Sequence, residues 1–198
     1  MPSRLSALFS LFAFVVGAVE SLPPEWQIRY ARKMSTPQDR PRWETIWLPA
    51  TNKDRAHIFL KQVRPAAGVV LIGTRIRLPK QAQDLELSAT FQTYCVQNRR
   101  SGAVDVGVLL PAAWDRLGRD PETASVPLDR DAWVFLGSLH PNSDDVTAWR
   151  TRGLRGQELA ALKPLAGQEA VLVIRWSTWH ADSNEWFRLA DLRLGEPR

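Results

Sequence analysis

Residues 159–194, LAALKPLAGQEAVLVIRWSTWHADSNEWFRLADLRL, carry more structural information than any other stretch of the chain. Leu159, Leu162 and Leu165 run into Ala166-Gly167-Gln168, a short capped turn that delivers the chain into the apolar run Val171 to Trp176. His180 to Glu185 form a polar loop and Trp186 to Leu194 a last strand, with Gly195 and Pro197 stopping further pairing. This reads as the end of a β-sandwich in which the loop reverses the chain. Trp176 shares a face with Leu172 and Ile174, which marks it as core. Trp179 falls on the opposite face with Arg175 and Ser177. Trp186 opens the return strand after only six intervening residues, so the indoles of Trp179 and Trp186 can meet across a hairpin.

The same periodicity extends upstream. In Val69 to Leu78, Val70, Ile72, Ile76 and Leu78 point one way, and Arg75 and Arg77 point the other way into water. Leu85, Leu87, Ala89, Phe91 and Thr93 share a face, opposite Glu86, Ser88, Thr90, Gln92 and Tyr94. Such half-polar strands belong to antiparallel sheets. Val104, Val106, Val108 and Leu110 make a further core row, stopped by Pro111. Trp133 to Leu139 and Val146 to Arg152 are shorter strands on either side of the loop His140 to Asp145. Trp43 to Pro49 is an opening strand near a sheet edge, followed by a second strand from His57 to Val63. Only 112–117 and 156–165 look helical. Eight or nine short strands without helix–strand alternation exclude a parallel α/β sheet and predict an all-β, two-sheet antiparallel jelly-roll sandwich.

The chain divides into three parts. Residues 1–21 place Arg4 ahead of an apolar run from Leu5 to Val19, the pattern of a signal peptide cleaved after Ala18 or Ser21. The run is shorter than the roughly 20 residues of a transmembrane helix, and no other segment is apolar enough to span a bilayer, so the mature chain is expected to be secreted or periplasmic. Residues 22–42 form a polar segment interrupted by Pro23, Pro24, Pro37 and Pro41, read as a linker with one helical turn around Trp26 to Met34. Residues 43–198 are the sandwich domain. Cys95 is the only cysteine, so the domain has no internal disulfide, and this residue is read as a buried small hydrophobe.

Composition narrows the function classes. The 21 Arg and five Lys exceed the acids to give a net charge of +5, but the arginines are scattered and no nucleic-acid stripe is present. Nine tryptophans in 198 residues are the strongest functional signal outside the ending, because an indole is a large apolar plate carrying one donor. Trp179 and Trp186 flank His180, Asp182, Asn184 and Glu185, so aromatic plates stand beside hydrogen-bonding groups in the general composition of a sugar site. Arg175 shares the face of Trp179. Trp114, Trp149 and Arg150 are secondary candidates, with Arg150 suited to an acidic sugar. Trp133 likewise stands at a strand end.

The closing strands resemble those of galactose-binding-like β-sandwiches, the jelly rolls shared by many carbohydrate-binding modules. Members often end in an I-D-D-I strand, and here Leu189-Ala190-Asp191-Leu192 occupies that place, with Ala190 where the first aspartate would stand. The resemblance covers roughly the last quarter of the chain. It implies carbohydrate binding, no organic cofactor, and at most a structural calcium drawing on Asp144, Asp145, Asp182 or Asp191. His57, His140 and His180 lack metal-ligand spacing. The alternating acids of jelly-roll glucanases, the Gln-x-His of alginate-lyase-like jelly rolls, G-x-S-x-G and HExxH are all absent.

The leading expectation is therefore an exported, non-catalytic β-sandwich that binds carbohydrate, an acidic polysaccharide among the options, through loop aromatics and Arg. The alternative is a structural or protein-interaction domain of the cell envelope, and the third reading is a small polysaccharide-active enzyme. Neither nucleic acid nor a membrane is an expected partner of the mature chain.

Overall fold

The computed structural model describes residues 25–31, 42–64, 68–80, 85–94, 103–120, 124, 126–140, 146–178 and 186–195. These residues form ten strands: β1 Trp26–Ala31, β2 Arg42–Leu48, β3 His57–Arg64, β4 Gly68–Arg77, β5 Glu86–Tyr94, β6 Ala103–Leu109, β7 Trp133–His140, β8 Val146–Arg155, β9 Glu169–Thr178 and β10 Trp186–Gly195. They form two five-stranded antiparallel sheets, ordered β1-β4-β9-β6-β7 and β2-β3-β10-β5-β8. The all-β jelly-roll sandwich is the fold. The short helix α1, Pro111–Asp115, and a 3-10 helix, Gly156–Leu165, match the two helical stretches read from sequence.

Alternation dictates the core. Val70, Ile72, Leu87, Ala89, Phe91, Val104, Val106, Val108, Leu172 and Ile174 all face inward and pack between the sheets. Strand β9 departs from alternation because both its faces are covered. Ala170, Leu172, Ile174 and Trp176 enter the central core, while Val171 and Val173 join a second cluster beneath α1. In that second cluster Trp114 lies against Gly73, where an added Cβ would come within 2.8 Å of the indole, and Trp133 lies over Gly107. Strand β10 keeps both Leu189 and Leu192 inward despite their spacing of three, because its register against β5 slips between Leu189 and Asp191.

Four expectations change. The segment around Trp26 is not a helical turn in a linker: Gln27 and Arg29 alternate with Ile28 and Tyr30, and β1 pairs with β4 from Trp26 to Ala31. Leu110 is not in the core row. Strand β6 ends at Leu109, and Leu110 caps α1 with 42% of its surface exposed. Among the described residues the strands number ten rather than eight or nine. Most consequentially, β9 and β10 do not form a hairpin. They are the central strands of opposite sheets, so the chain between them crosses the sandwich. Among the described residues, the only consecutive strands paired within a sheet are β2–β3 and β6–β7.

That crossing places an aromatic stack between the layers. Trp176 of one sheet stacks on Phe187 of the other with ring centroids 5.9 Å apart, and Phe187 stacks on Phe91 at 6.2 Å. All three rings are fully buried. Truncating either central ring removes a large apolar plate and leaves a cavity that a close-packed interior cannot close. Trp176→Ala and Phe187→Ala are each expected to cost about 3–5 kcal/mol in urea-unfolding free energy, with loss of near-ultraviolet circular dichroism. Gly107→Ala is expected to cost about 1–3 kcal/mol by overpacking, since its Cβ would stand 2.5 Å from the Val134 carbonyl oxygen as well as against Trp133.

Candidate functional site

The outer faces of the two sheets differ. The first sheet is covered by α1 and the chain that follows it, held by the Trp114 indole N–H donating to Gln27 Oε1 at 3.1 Å and by Arg75 Nη2, which donates to both Asp115 carboxylate oxygens at 2.7 and 2.8 Å. The second sheet carries no such cover from a described helix. Its outer face is built by the polar row of β5 (Glu86, Ser88, Thr90, Gln92, Tyr94) and by the residues of β3, β8 and β10 in register with it.

At one end of this face stands an aromatic platform. Trp186 is directly opposite Tyr94 in the β10–β5 register, and their rings stack 5.9 Å apart at 15°. Phe59 approaches Trp186 at 6.3 Å, and the Arg188 guanidinium carbon lies 5.0 Å from the Trp186 ring and 5.3 Å from Phe59. Trp186 is half-buried, so the ring is fixed yet accessible. At the other end the face sinks into an open depression of about 670 Å³ lined by Glu86, Ser88, Thr151, Arg155, Arg193 and Gly195 among others. Thr90 and Thr151 join the two ends through a hydroxyl–hydroxyl bond of 2.7 Å.

Asp54, in the β2–β3 connection, ties the platform together. One carboxylate oxygen accepts the Trp149 indole N–H at 2.8 Å and the Arg55 backbone N–H at 2.9 Å; the other accepts from Arg188 at 3.4 Å. Arg188 also donates to Gln92 Oε1 at 3.2 Å. Trp149 meets the buried His57 ring edge-on at 5.3 Å, and Arg55 lies over the Trp149 ring. Partial desolvation pushes the Asp54 carboxyl up, but the Trp149 and Arg55 donors and the His57 and Arg188 charges outweigh it and hold the group below the ordinary carboxylate range.

The expected site residues separate accordingly. Trp186 and Trp149 are on this face. Arg175 is not: it lies on the outer face of the other sheet, ion-paired with Asp105 and 5.7 Å from the Trp133 ring, because β9 and β10 belong to different sheets. Arg150 pairs in register with inward-facing Phe91 at the sheet edge and so points away from Trp149's neighbours. Trp114 has no exposed surface and serves packing rather than a ligand. Trp179, His180, Asp182, Asn184 and Glu185 lie outside the described residues, as do Asp144, Asp145 and Cys95.

Asp191 is ion-paired with Arg193 at 2.8 Å, and among the described residues no three His, Cys, Asp or Glu side chains converge. The residues not anticipated are Asp54, His57, Phe59, Gln92, Tyr94 and Arg188. The alternation of β5 and β10 would have placed Gln92, Tyr94 and Arg188 on the face of Trp186, but nothing local marks Asp54 or His57.

No protein-family model matches the sequence, and no curated protein does. Solved structures do resemble it in fold. TmCBM61 in complex with β-1,4-galactotriose is 8% identical, covering 88% of this chain and 90% of that one at a TM-score of 0.45. The family 11 carbohydrate-binding module of a cellulosomal cellulase of Clostridium thermocellum is 11% identical over 87% of this chain and 88% of its own, at 0.43. The K2 cleaved adhesin domain of Lys-gingipain is 11% identical over 93% and 96%, at 0.45. These likenesses are of fold alone.

Because folding holds the Asp54 carboxyl below its unfolded value, its contribution to stability is complete at neutral pH and drains away as pH falls from about 4 through the lower folded value. The stability difference between the wild type and Asp54→Asn is therefore expected to shrink as pH falls below about 5, as read from urea midpoints across the acid range.

Proposed function

We propose that the chain is an exported, non-catalytic β-sandwich that binds carbohydrate on the outer face of its second sheet. The observation that carries this reading is the fixed, accessible Trp186–Tyr94 stack at the head of a polar row that continues into a depression. A sugar ring offers an apolar C–H face to an aromatic plate and hydroxyls to neighbouring polar groups, and this face supplies both along one direction. The carboxylates lining it, Asp54, Glu86 and Asp191, are held by Arg188, Arg155 and Arg193, an arrangement suited to holding a ligand rather than to acid–base attack on one. Export is supported by the apolar run Leu5 to Val19 behind Arg4. Among the described residues no helix is long and apolar enough to cross a membrane. A second reading, a protein-docking domain of the envelope, draws on Phe135, which stands 51% exposed on β7.

Affinity electrophoresis of the mature chain against soluble polysaccharides tests the first reading. Trp186→Ala is expected to weaken binding at least tenfold, about 1.4 kcal/mol, with a far smaller loss of thermal stability than Trp176→Ala. A chain that binds no polysaccharide would turn attention to the docking domain.

A further inference from the structure

Three large apolar side chains stand exposed among the described residues, and all three border one patch on the outer face of the first sheet. Phe135 of β7 is 51% exposed, Leu110 at the start of α1 is 42% exposed, and Val126, beyond α1, is 37% exposed. Val134 packs against the central core and Trp133 against the cluster beneath α1, so Phe135 projects outward on the same side as Trp133. Beside it, Val126 lines an open pocket of about 300 Å³ with Leu109, Ala113, Leu117, Pro127 and Leu128. Leu109 is opposite Trp133 and Gly107 opposite Phe135 in the β6–β7 register, which sets Phe135 about 7 Å along the strand from the pocket wall. We propose that a second copy of the chain docks on this face, each Phe135 seated in the other copy's pocket.

Shape and charge both select a second copy as the occupant. A protruding ring and a hole lie side by side on one face. A two-fold axis normal to that face and passing between them lays each ring over the other copy's pocket, with Trp133 near the axis, so the same contact forms twice and the assembly closes as a dimer. The pocket stands at the bottom of the roughly 300–1,000 Å³ range of small-molecule sites, and its wall is aliphatic apart from Arg116 and Asp129, so it suits a single ring. Charge points the same way. The chain carries a net +5, so two copies repel over most of their surface. Around this patch the charges cancel: Arg116 pairs with Asp129 at 3.5 Å, Arg175 pairs with Asp105, and Arg130 stands between Asp129 and Asp131 in the chain. The patch therefore meets its own copy without a like-charge penalty, which a face of one sign could not do. The contact is independent of the sugar-site reading, because the outer face of the second sheet stays free on both copies.

Sedimentation velocity of the mature chain from about 1 μM to about 500 μM tests the proposal. The expected result is a reversible monomer–dimer equilibrium with no larger species. Phe135→Ala removes the ring and Val126→Trp crowds the pocket. Each is expected to raise the dimer dissociation constant at least tenfold, with a melting temperature close to the wild type because both positions lie at the surface. An equimolar mixture of the two variants is expected to associate more tightly than either alone. In the mixed pair one ring and one open pocket are intact, and the crowded pocket faces the shortened side chain. A chain that stays monomeric throughout the range, dimers that neither variant weakens, or variants that gain nothing on mixing would overturn the inference. The first of these outcomes would leave the face to a different protein.

Discussion

The contact on which the rest of the molecule depends is the stack of Trp176 on Phe187. It is the place where the two sheets touch through their central strands, and Phe91 extends it sideways into β5. Two twisted sheets need a fixed registration if their inner side chains are to interdigitate at crystal-like density. Wide flat rings that meet face to face set that registration more narrowly than aliphatic side chains do. With the stack in place, the outward residues of β10 have only one possible heading, and Trp186, next to Phe187, must lie on the outer surface. The candidate site is thus the reverse side of the core contact.

The tryptophan excess resolves into separate uses. Among the described side chains, Trp26, Trp47 and Trp176 pack in or against the central core; Trp114 and Trp133 close the outer face of the first sheet over two glycines; Trp149 and Trp186 lie on the outer face of the second. Composition alone points to an aromatic site, yet most of the described tryptophan rings are structural. What distinguishes Trp149 and Trp186 is company rather than exposure: each touches the Asp54–Arg188–Gln92 network, directly or through one neighbour.

Much of the fold could be read locally. The faces assigned in β4 and β5 hold residue by residue, Trp176 is core, and both helical stretches are where turn chemistry put them. The expected hairpin between β9 and β10 fails for a physical reason: a short polar loop serves equally to turn a chain within a sheet or to carry it across, and the choice is made by Trp176 and Phe187 needing each other. Strand β1 was hidden by the prolines flanking it, although Ile28 and Tyr30 alternate with Gln27 and Arg29. Trp114 misled because its seat, Gly73, lies far away in sequence. Asp54 was invisible for the same reason. Its partners Trp149 and Arg188 arrive from strands that no local pattern connects to the β2–β3 turn.

The positions of β9 and β10 bear on how the chain acquires this fold. Each sheet is completed through one of them: β9 joins β4 to β6, and β10 joins β3 to β5. Without them the remaining strands are isolated pairs, which are at best marginal in water. The centres of both sheets thus come from strands late in the sequence, and the decisive pairings close long loops, a combination that slows folding. A ribosome would have released nearly the whole domain before any cooperative structure could form, leaving the polypeptide loose and threadable until its final strands emerge.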